Sequence, residues 1–136
     1  MVHRKGLPLV LGLALVVSLL VGCQMMARGP SDEEQIRTLI NKFVDAGNKG
    51  DVEAVMAAFA DDFAMETGED KEAVRSVLEE GVAAGVEFDA TDVTIKVAPD
   101  GESAEVEGVT VDYTPYVTTL KKRGGEWLIT SAGEQY

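Results

Sequence analysis

The spacing of the apolar residues changes once along this chain, and that change constrains the fold more than any other feature. In residues 31–85 the apolar residues recur three and four positions apart, which is the spacing of one face of a helix. In residues 86–131 they mostly alternate with polar residues, as in a strand with one buried face. A block of helices followed by a block of antiparallel strands predicts the α+β class.

Three helices are predicted in the first block, each with a polar residue placed to cap its N-terminus. Ser31, Asp51 and Asp70 precede the three apolar stripes, and such side chains accept hydrogen bonds from the free N–H groups of a first helical turn. The second helix is predicted to end at residues 60–63. Residues 64–69 are predicted to be a short connection with room for a brief strand.

Four strands are predicted in the second block. Asp-Gly at residues 100–101 and Gly-Gly at residues 124–125 are turn signals between strands. The alternation changes parity near residues 89–92 and again near Gly108, which a bulge or break in a strand would explain. We therefore expect three N-terminal helices packed on one face of a curved, mostly antiparallel four-stranded sheet.

Residues 1–22 are typical of a signal peptide. A basic start at residues 3–5 precedes an apolar core at residues 7–20. This core is shorter than the roughly 20 apolar residues that a spanning helix needs. Cys23 follows directly and is the only cysteine of the chain. An odd cysteine in an exported chain calls for a specific role.

The sequence Leu-Val-Gly-Cys at residues 20–23 resembles the lipobox of bacterial lipoproteins. The resemblance implies that a lipid is attached to the sulfur of Cys23 and that the signal is cut just before it. Two or three acyl chains hold a protein stably on a bilayer, whereas one chain does so only marginally. The alternative is an ordinary secretory signal in which this cysteine has no such role.

The same resemblance divides the chain and predicts its location. We expect residues 1–22 to be a cleaved signal peptide, residues 23–30 to be the lipidated cysteine and a tether, and residues 31–136 to be the folded domain. The partner would be a lipid bilayer of the bacterial cell envelope. Gln24 stands where an Asp can favour the inner membrane, so in a host with two membranes we expect the outer membrane, on its periplasmic side.

Composition excludes several kinds of site from residues 31–136. Cleavage removes Arg4 and Lys5, so the 12 basic residues of the chain fall to 10 against 24 acidic ones, for a net charge of −14. Such a chain is repelled by nucleic acid. His3 and Cys23 are the only residues of their types, so the domain has no Ser–His triad, Cys–His pair, usual zinc site or disulfide. We expect no cofactor and no metal.

The folded part resembles the nuclear transport factor 2-like superfamily, which includes ketosteroid isomerase. The resemblance lies in Gly-Asp-Val-Glu-Ala at residues 50–54, Phe-Ala-Asp-Asp-Phe at residues 59–63 and Glu-Trp-Leu-Ile at residues 126–129. It implies a cone-shaped domain with a pocket open at one end. Members include enzymes, small-molecule binders and domains that only pair with proteins. Enzymatic members often use His and Asp inside the cone, and this domain has no His, which favours a non-catalytic role.

Eight residues are candidates for such a pocket. Asp62 could act as a general base and Tyr113 could stabilise an enolate oxygen. The alternatives are a solvated carboxylate and a packed ring with a hydrated hydroxyl. The apolar candidates could line a pocket or form the core of the domain. They are Phe43, Met56, Phe59, Phe63, Val111 and Trp127.

Three functions remain open from the sequence. The first is an envelope lipoprotein whose domain is a non-catalytic module that binds a small apolar ligand or another envelope protein. The second is a lyase or isomerase of the ketosteroid isomerase type that uses Asp62 and Tyr113. The third is a structural domain that forms a homodimer through its open sheet face.

Overall fold

The computed structural model describes residues 29–136. Ser31–Tyr136 form one compact unit with its own hydrophobic core, which is the property of a domain that folds by itself. The expected signal peptide, the lipobox and Cys23 lie outside the described residues. Within residues 29–136, no helix combines the length and the apolar content needed to cross a bilayer.

The three helices in the described part of the chain begin at the predicted caps. They are α1 (Asp32–Lys49), α2 (Val52–Met56) and α3 (Lys71–Ala83). The Ser31 hydroxyl accepts from the backbone N–H of the third residue of α1 at 3.2 Å. Asp51 and Asp70 accept in the same way at the starts of α2 and α3, at 3.1 Å and 2.9 Å. The three predicted N-caps are therefore confirmed.

One open sheet of six strands is present within residues 29–136. Its order is β1-β6-β5-β4-β2, and β3 also pairs with β4. Only the β1–β6 pair among the pairs described is parallel. The strands are β1 (Phe59–Met65), β2 (Phe88–Asp89), β3 (Thr94–Val97), β4 (Ser103–Val111), β5 (Thr114–Arg123) and β6 (Glu126–Glu134).

Two predictions are wrong at the first strand. Residues 60–63 belong to β1 and not to the end of the second helix, and the sheet has six strands and not four. Apolar residues recur here three and four positions apart, as in a helix, but α2 already ends at Met56. Phe59 pairs with Ile129 on β6, and the N–H of Ile129 donates to the carbonyl of Ala58 at 2.8 Å. Pairing with a strand 70 residues away overrides the local helical pattern.

The two predicted parity changes correspond to irregularities in the sheet. The chain leaves β2 at Asp89 and resumes as β3 at Thr94, so the predicted four strands become six when β1 is added. The β4–β5 pairing shifts register at Gly108. A Cβ atom on Gly108 would lie 2.4 Å from the Asp92 carbonyl oxygen, so the chain between β2 and β3 packs directly on the bulge.

The core lies between α1, α2 and the concave face of the sheet. Five residues of α1 are buried, among them Ile36 and Ile40, and they pack with Val106, Leu120 and Ile129 of the sheet. None of the 13 residues of α3 is buried. This helix therefore covers part of the sheet without filling the space beneath it.

Candidate ligand-binding site

A cavity of about 430 Å³ lies between α3 and the concave face of the sheet. Volumes of roughly 300–1,000 Å³ are typical of sites for small molecules. Most of its lining is aliphatic or aromatic. The 18 lining residues are Phe43, Phe59, Phe63, Met65, Thr67, Glu69, Ala73, Val74, Val77, Leu78, Phe88, Val109, Val111, Tyr116, Thr118, Ile129, Ala132 and Glu134.

Four phenylalanine rings form the floor of the cavity, and all four are buried. The centroids of Phe43 and Phe59 are 5.8 Å apart with the rings nearly perpendicular, and those of Phe43 and Phe88 are 5.6 Å apart. The ring centroids of Phe59 and Phe63 are 4.5 Å apart, and these two rings are tilted by 57° to each other. Edge-to-face contacts of this kind fix the rings relative to one another, so the floor is a preformed apolar surface.

The rim of the cavity is identified by its exposed lining residues. Thr67 and Glu69 belong to the β1–α3 connection, Ala73 and Val77 to the first half of α3, and Glu134 to the end of β6. All five are exposed, and Val77 is exposed to 66%. The cavity therefore opens at the end of the sheet where β6 finishes.

Most polar groups of the lining lie near this rim. Tyr116 is the register partner of Glu134 across β5 and β6, and its pKa is raised, first by burial and then by the charge of Glu134. The hydroxyl of Thr67 donates to the carboxylate of Glu69, which lowers the pKa of Glu69. Deeper in the cavity, the Thr118 hydroxyl donates to the carbonyl of Val106 at 3.4 Å.

The predicted catalytic pair lies outside the cavity. Asp62 is exposed, and its carboxylate accepts from the Arg123 guanidinium at 3.1 Å. Tyr113 is exposed to 81%, and its hydroxyl donates to the Glu87 carboxylate at 3.1 Å. Neither residue lines the cavity, so these two side chains cannot act together on a molecule bound there.

The six predicted lining residues fall into two groups. Phe43, Phe59, Phe63 and Val111 line the cavity. The other two, Met56 and Trp127, are buried in the hydrophobic core and do not line it. Within residues 29–136, no group of three or more acidic side chains is arranged to hold a metal ion.

The rim residues Glu69 and Glu134 were not predicted from the sequence. Glu69 lies on a connection, where no periodicity indicates which way a side chain points. Glu134 follows a register shift between β5 and β6: Thr119 pairs with Ser131 and Leu120 with Ile129, so Thr130 is an extra residue. This bulge reverses the parity that Trp127 and Ile129 establish and brings Ala132 and Glu134 to the cavity.

The chain enters the domain at the end of the sheet opposite to the rim. The carboxylate of Asp32 accepts from Lys122 Nζ at 2.8 Å and from the Trp127 indole N–H at 3.3 Å. Trp127 is the second residue of β6, and Glu134 is its last. At about 3.3 Å per residue, these two positions are roughly 23 Å apart along the strand.

No protein-family model matches the chain, and no curated protein matches it. Several solved structures resemble it. A protein of unknown function with a cystatin-like fold from Nostoc punctiforme has a TM-score of 0.62 at 21% identity, over 75% of this chain and 88% of the other. A nuclear transport factor 2-like protein of unknown function from Pseudomonas putida has a TM-score of 0.62 at 18% identity, over 79% and 89%.

A third structure carries the name of an enzyme. It is a candidate scytalone dehydratase from Novosphingobium aromaticivorans, with a TM-score of 0.62 at 16% identity, over 76% of this chain and 82% of the other. Identities this low show a shared fold and nothing about activity. Together with the helices packed on a curved open sheet, these similarities show that Ser31–Tyr136 has the nuclear transport factor 2-like fold.

Proposed function

We propose that this protein is a lipid-anchored lipoprotein of the bacterial envelope whose domain binds a small apolar molecule without transforming it. The observation that carries the proposal is the cavity of about 430 Å³ beneath α3, with its floor of four phenylalanine rings and its open rim. Apolar walls with a few polar groups at one end are typical of binding sites for small molecules.

The position of the titratable groups supports binding without catalysis. The carboxylates that line the cavity, Glu69 and Glu134, are exposed on its rim, and the pKa of Glu69 is lowered by its hydrogen bond with Thr67. An efficient general base at neutral pH needs a raised pKa and a place beside the reacting atom. The floor offers rings and aliphatic side chains instead.

The anchor is proposed from residues 20–23, with the lipid on Cys23. The tether of residues 23–30 would span at most about 26 Å when extended, which keeps the domain close to the bilayer. The chain enters the domain beside Lys122 and Trp127, at the end of the sheet away from the cavity rim.

The binding proposal is tested with the neutral apolar dye Nile red and the segment 24–136. We expect the wild type to bind one dye molecule with a rise in fluorescence. Ala132 is a small buried lining residue, so Ala132→Phe should place a ring inside the cavity, obstruct it and abolish dye binding. Val74→Phe should do the same from α3. Ala54→Phe adds the same ring on an exposed face of α2 and should leave binding unchanged.

Circular dichroism of each variant shows whether it is folded. Equal dye binding by the wild type and by the folded Ala132→Phe and Val74→Phe variants would contradict the proposal, because the dye would then bind elsewhere. The anchor is tested separately by Cys23→Ser in a bacterial host. We expect this variant to lose acylation and membrane association. A Cys23→Ser protein that stays in the membrane fraction would contradict the lipid anchor.

A further inference from the structure

The charges around the cavity rim are of one sign. Glu69 and Glu134 line the rim, and the carboxylate of Glu66 lies against Gly133 on β6, one residue before Glu134. Three carboxylates thus surround the end of β6 where the cavity opens. Their surroundings are exposed, so a bound molecule can place a polar group among them while it remains partly hydrated.

No basic side chain balances these carboxylates among the cavity-lining residues that the structure describes. The two basic residues of α3 are bound elsewhere. Lys71 Nζ donates to the Phe59 carbonyl at 3.1 Å and lies 3.5 Å from the Asp61 carboxylate. The guanidinium of Arg75 pairs with Glu53 on α2. The potential at the cavity mouth is therefore negative, and the net charge of the domain reinforces it.

The negative potential extends inward from the rim. Tyr116 is half-buried behind the rim. The pKa of its phenol is raised, mainly by burial and to a smaller extent by the charge of Glu134. The same charge acts on any ionic group that a ligand places near Tyr116. An anion there would be repelled, and a cation would be attracted.

We propose that the cavity selects amphipathic molecules whose polar end is cationic and discriminates against those whose polar end is anionic. The apolar part would lie on the phenylalanine floor, and an ammonium group would lie between Glu69 and Glu134. This inference rests on the proposed binding function and adds to it the chemical class of the ligand. Complementary charge of this kind contributes to specificity more than to overall affinity.

The test compares three ten-carbon molecules that differ only in the polar end: decylamine, decanol and decanoate. Each is titrated against Nile red bound to the segment 24–136, at pH 7 and low salt, and its affinity is measured from the loss of dye fluorescence. An exposed charge pair changes an affinity by up to about fivefold, and attraction of the amine adds to repulsion of the carboxylate. We expect decylamine to bind on the order of tenfold more tightly than decanoate, with decanol between them, and the ratio to shrink in high salt.

Two variants test whether the preference for the amine over the carboxylate comes from the carboxylates of the rim. Glu134→Gln and Glu69→Gln keep the side-chain volume, and each should narrow the ratio of amine to carboxylate affinity while leaving decanol unchanged. Glu126→Gln removes the same charge at the opposite end of β6 and should leave the ratio unchanged. Decanoate binding as tightly as decylamine, or Glu126→Gln narrowing the ratio as much as Glu134→Gln, would overturn the inference and leave the binding function standing. Failure of all three molecules to displace a bound dye would overturn the inference alone, whereas failure of the dye itself to bind would overturn both.

Discussion

Tyr116 on β5 and Glu134 on β6 are paired across the sheet, and both side chains line the cavity. The pKa of Tyr116 is raised because burial disfavours the phenolate and because Glu134 repels it. The phenol therefore stays neutral above the ordinary tyrosine pKa of about 10. The folded state therefore holds the phenol proton of Tyr116 more tightly than the unfolded chain does. The stability that this proton contributes is present below the unfolded-state pKa of about 10 and is lost as the pH rises through the raised folded-state pKa.

Replacing Glu134 with Gln should lower the pKa of Tyr116 towards its ordinary value, because one of its two causes is removed. Absorbance titration of the phenols measures this, with Tyr116→Phe used to assign the transition to that residue. Tyr113→Phe is the control for the other perturbed phenol, whose pKa is raised by its hydrogen bond to Glu87. An unchanged Tyr116 titration in Glu134→Gln would show that the two groups do not interact.

The contact of Asp32 with Lys122 predicts a transition in acid. The pKa of Asp32 is lowered from its ordinary 3.8, chiefly by the hydrogen bond from Lys122 and also by that from Trp127, against an opposing effect of burial. The stability that the pair contributes is therefore present above about 3.8 and lost as the pH falls through the lowered value. The chemical shift of the Trp127 indole N–H should report this protonation.

Asp32→Asn keeps an oxygen that can accept from the indole but removes the titrating group. We expect the acid transition of the Trp127 signal to disappear in this variant. The same transition in wild type and variant would mean that another group controls the signal.

Gly47 on α1 permits close packing of the Phe88 ring. A Cβ atom at position 47 would lie 2.6 Å from Phe88 Cγ, so Gly47→Ala should destabilise the domain by about 1–3 kcal/mol through overpacking. Gly81→Ala is the matched control, since its Cβ would meet only the Val86 side chain, at 3.2 Å from Cγ2 and 3.7 Å from Cβ, and alanine favours helix. Urea denaturation measures both. Equal stability of Gly47→Ala and wild type would contradict the close contact.

The β4–β5 hairpin turns on Asp112 and Tyr113, whose φ angles are +50° and +65°. Two successive left-handed residues form a type I′ turn, which Asn-Gly adopts with less strain. Replacing the pair with Asn-Gly should raise the free energy of unfolding by about 1 kcal/mol. Tyr113→Ala removes the same ring but keeps a Cβ atom at a positive φ angle, so it should not raise the free energy of unfolding in this way. Equal free energies of unfolding for the Asn-Gly and Tyr113→Ala variants, measured by urea denaturation, would contradict the claim that this turn is strained.

Local signals in the sequence predicted the helix starts and the main turns. Ser31, Asp51 and Asp70 cap helices because capping depends on a residue and the next three positions, all adjacent in the chain. Gly101, with φ of +70°, turns the chain between β3 and β4, as its Asp-Gly dipeptide predicts. These features depend on neighbours in sequence and so can be read from it.

The first strand and the rim of the cavity depend on contacts between distant parts of the chain. Residues 59–65 form a strand because β6 is beside them, although their apolar spacing is helical. Ala132 and Glu134 reach the cavity because Thr130 is an extra residue in the pairing of β6 with β5. Trp127 belongs to the core because the N-terminus of α1 covers it. Each of these relationships joins residues that are far apart in the chain, so none of them can be predicted from the neighbouring sequence.

Native mass spectrometry of the segment 24–136 tests most directly whether the cavity holds a small molecule. We expect a one-to-one complex with added Nile red that disappears when the protein is denatured and is not formed by folded Ala132→Phe. A mass without dye at saturating concentration, or equal complexes in the wild type and Ala132→Phe, would contradict the claim that the space beneath α3 is a binding site.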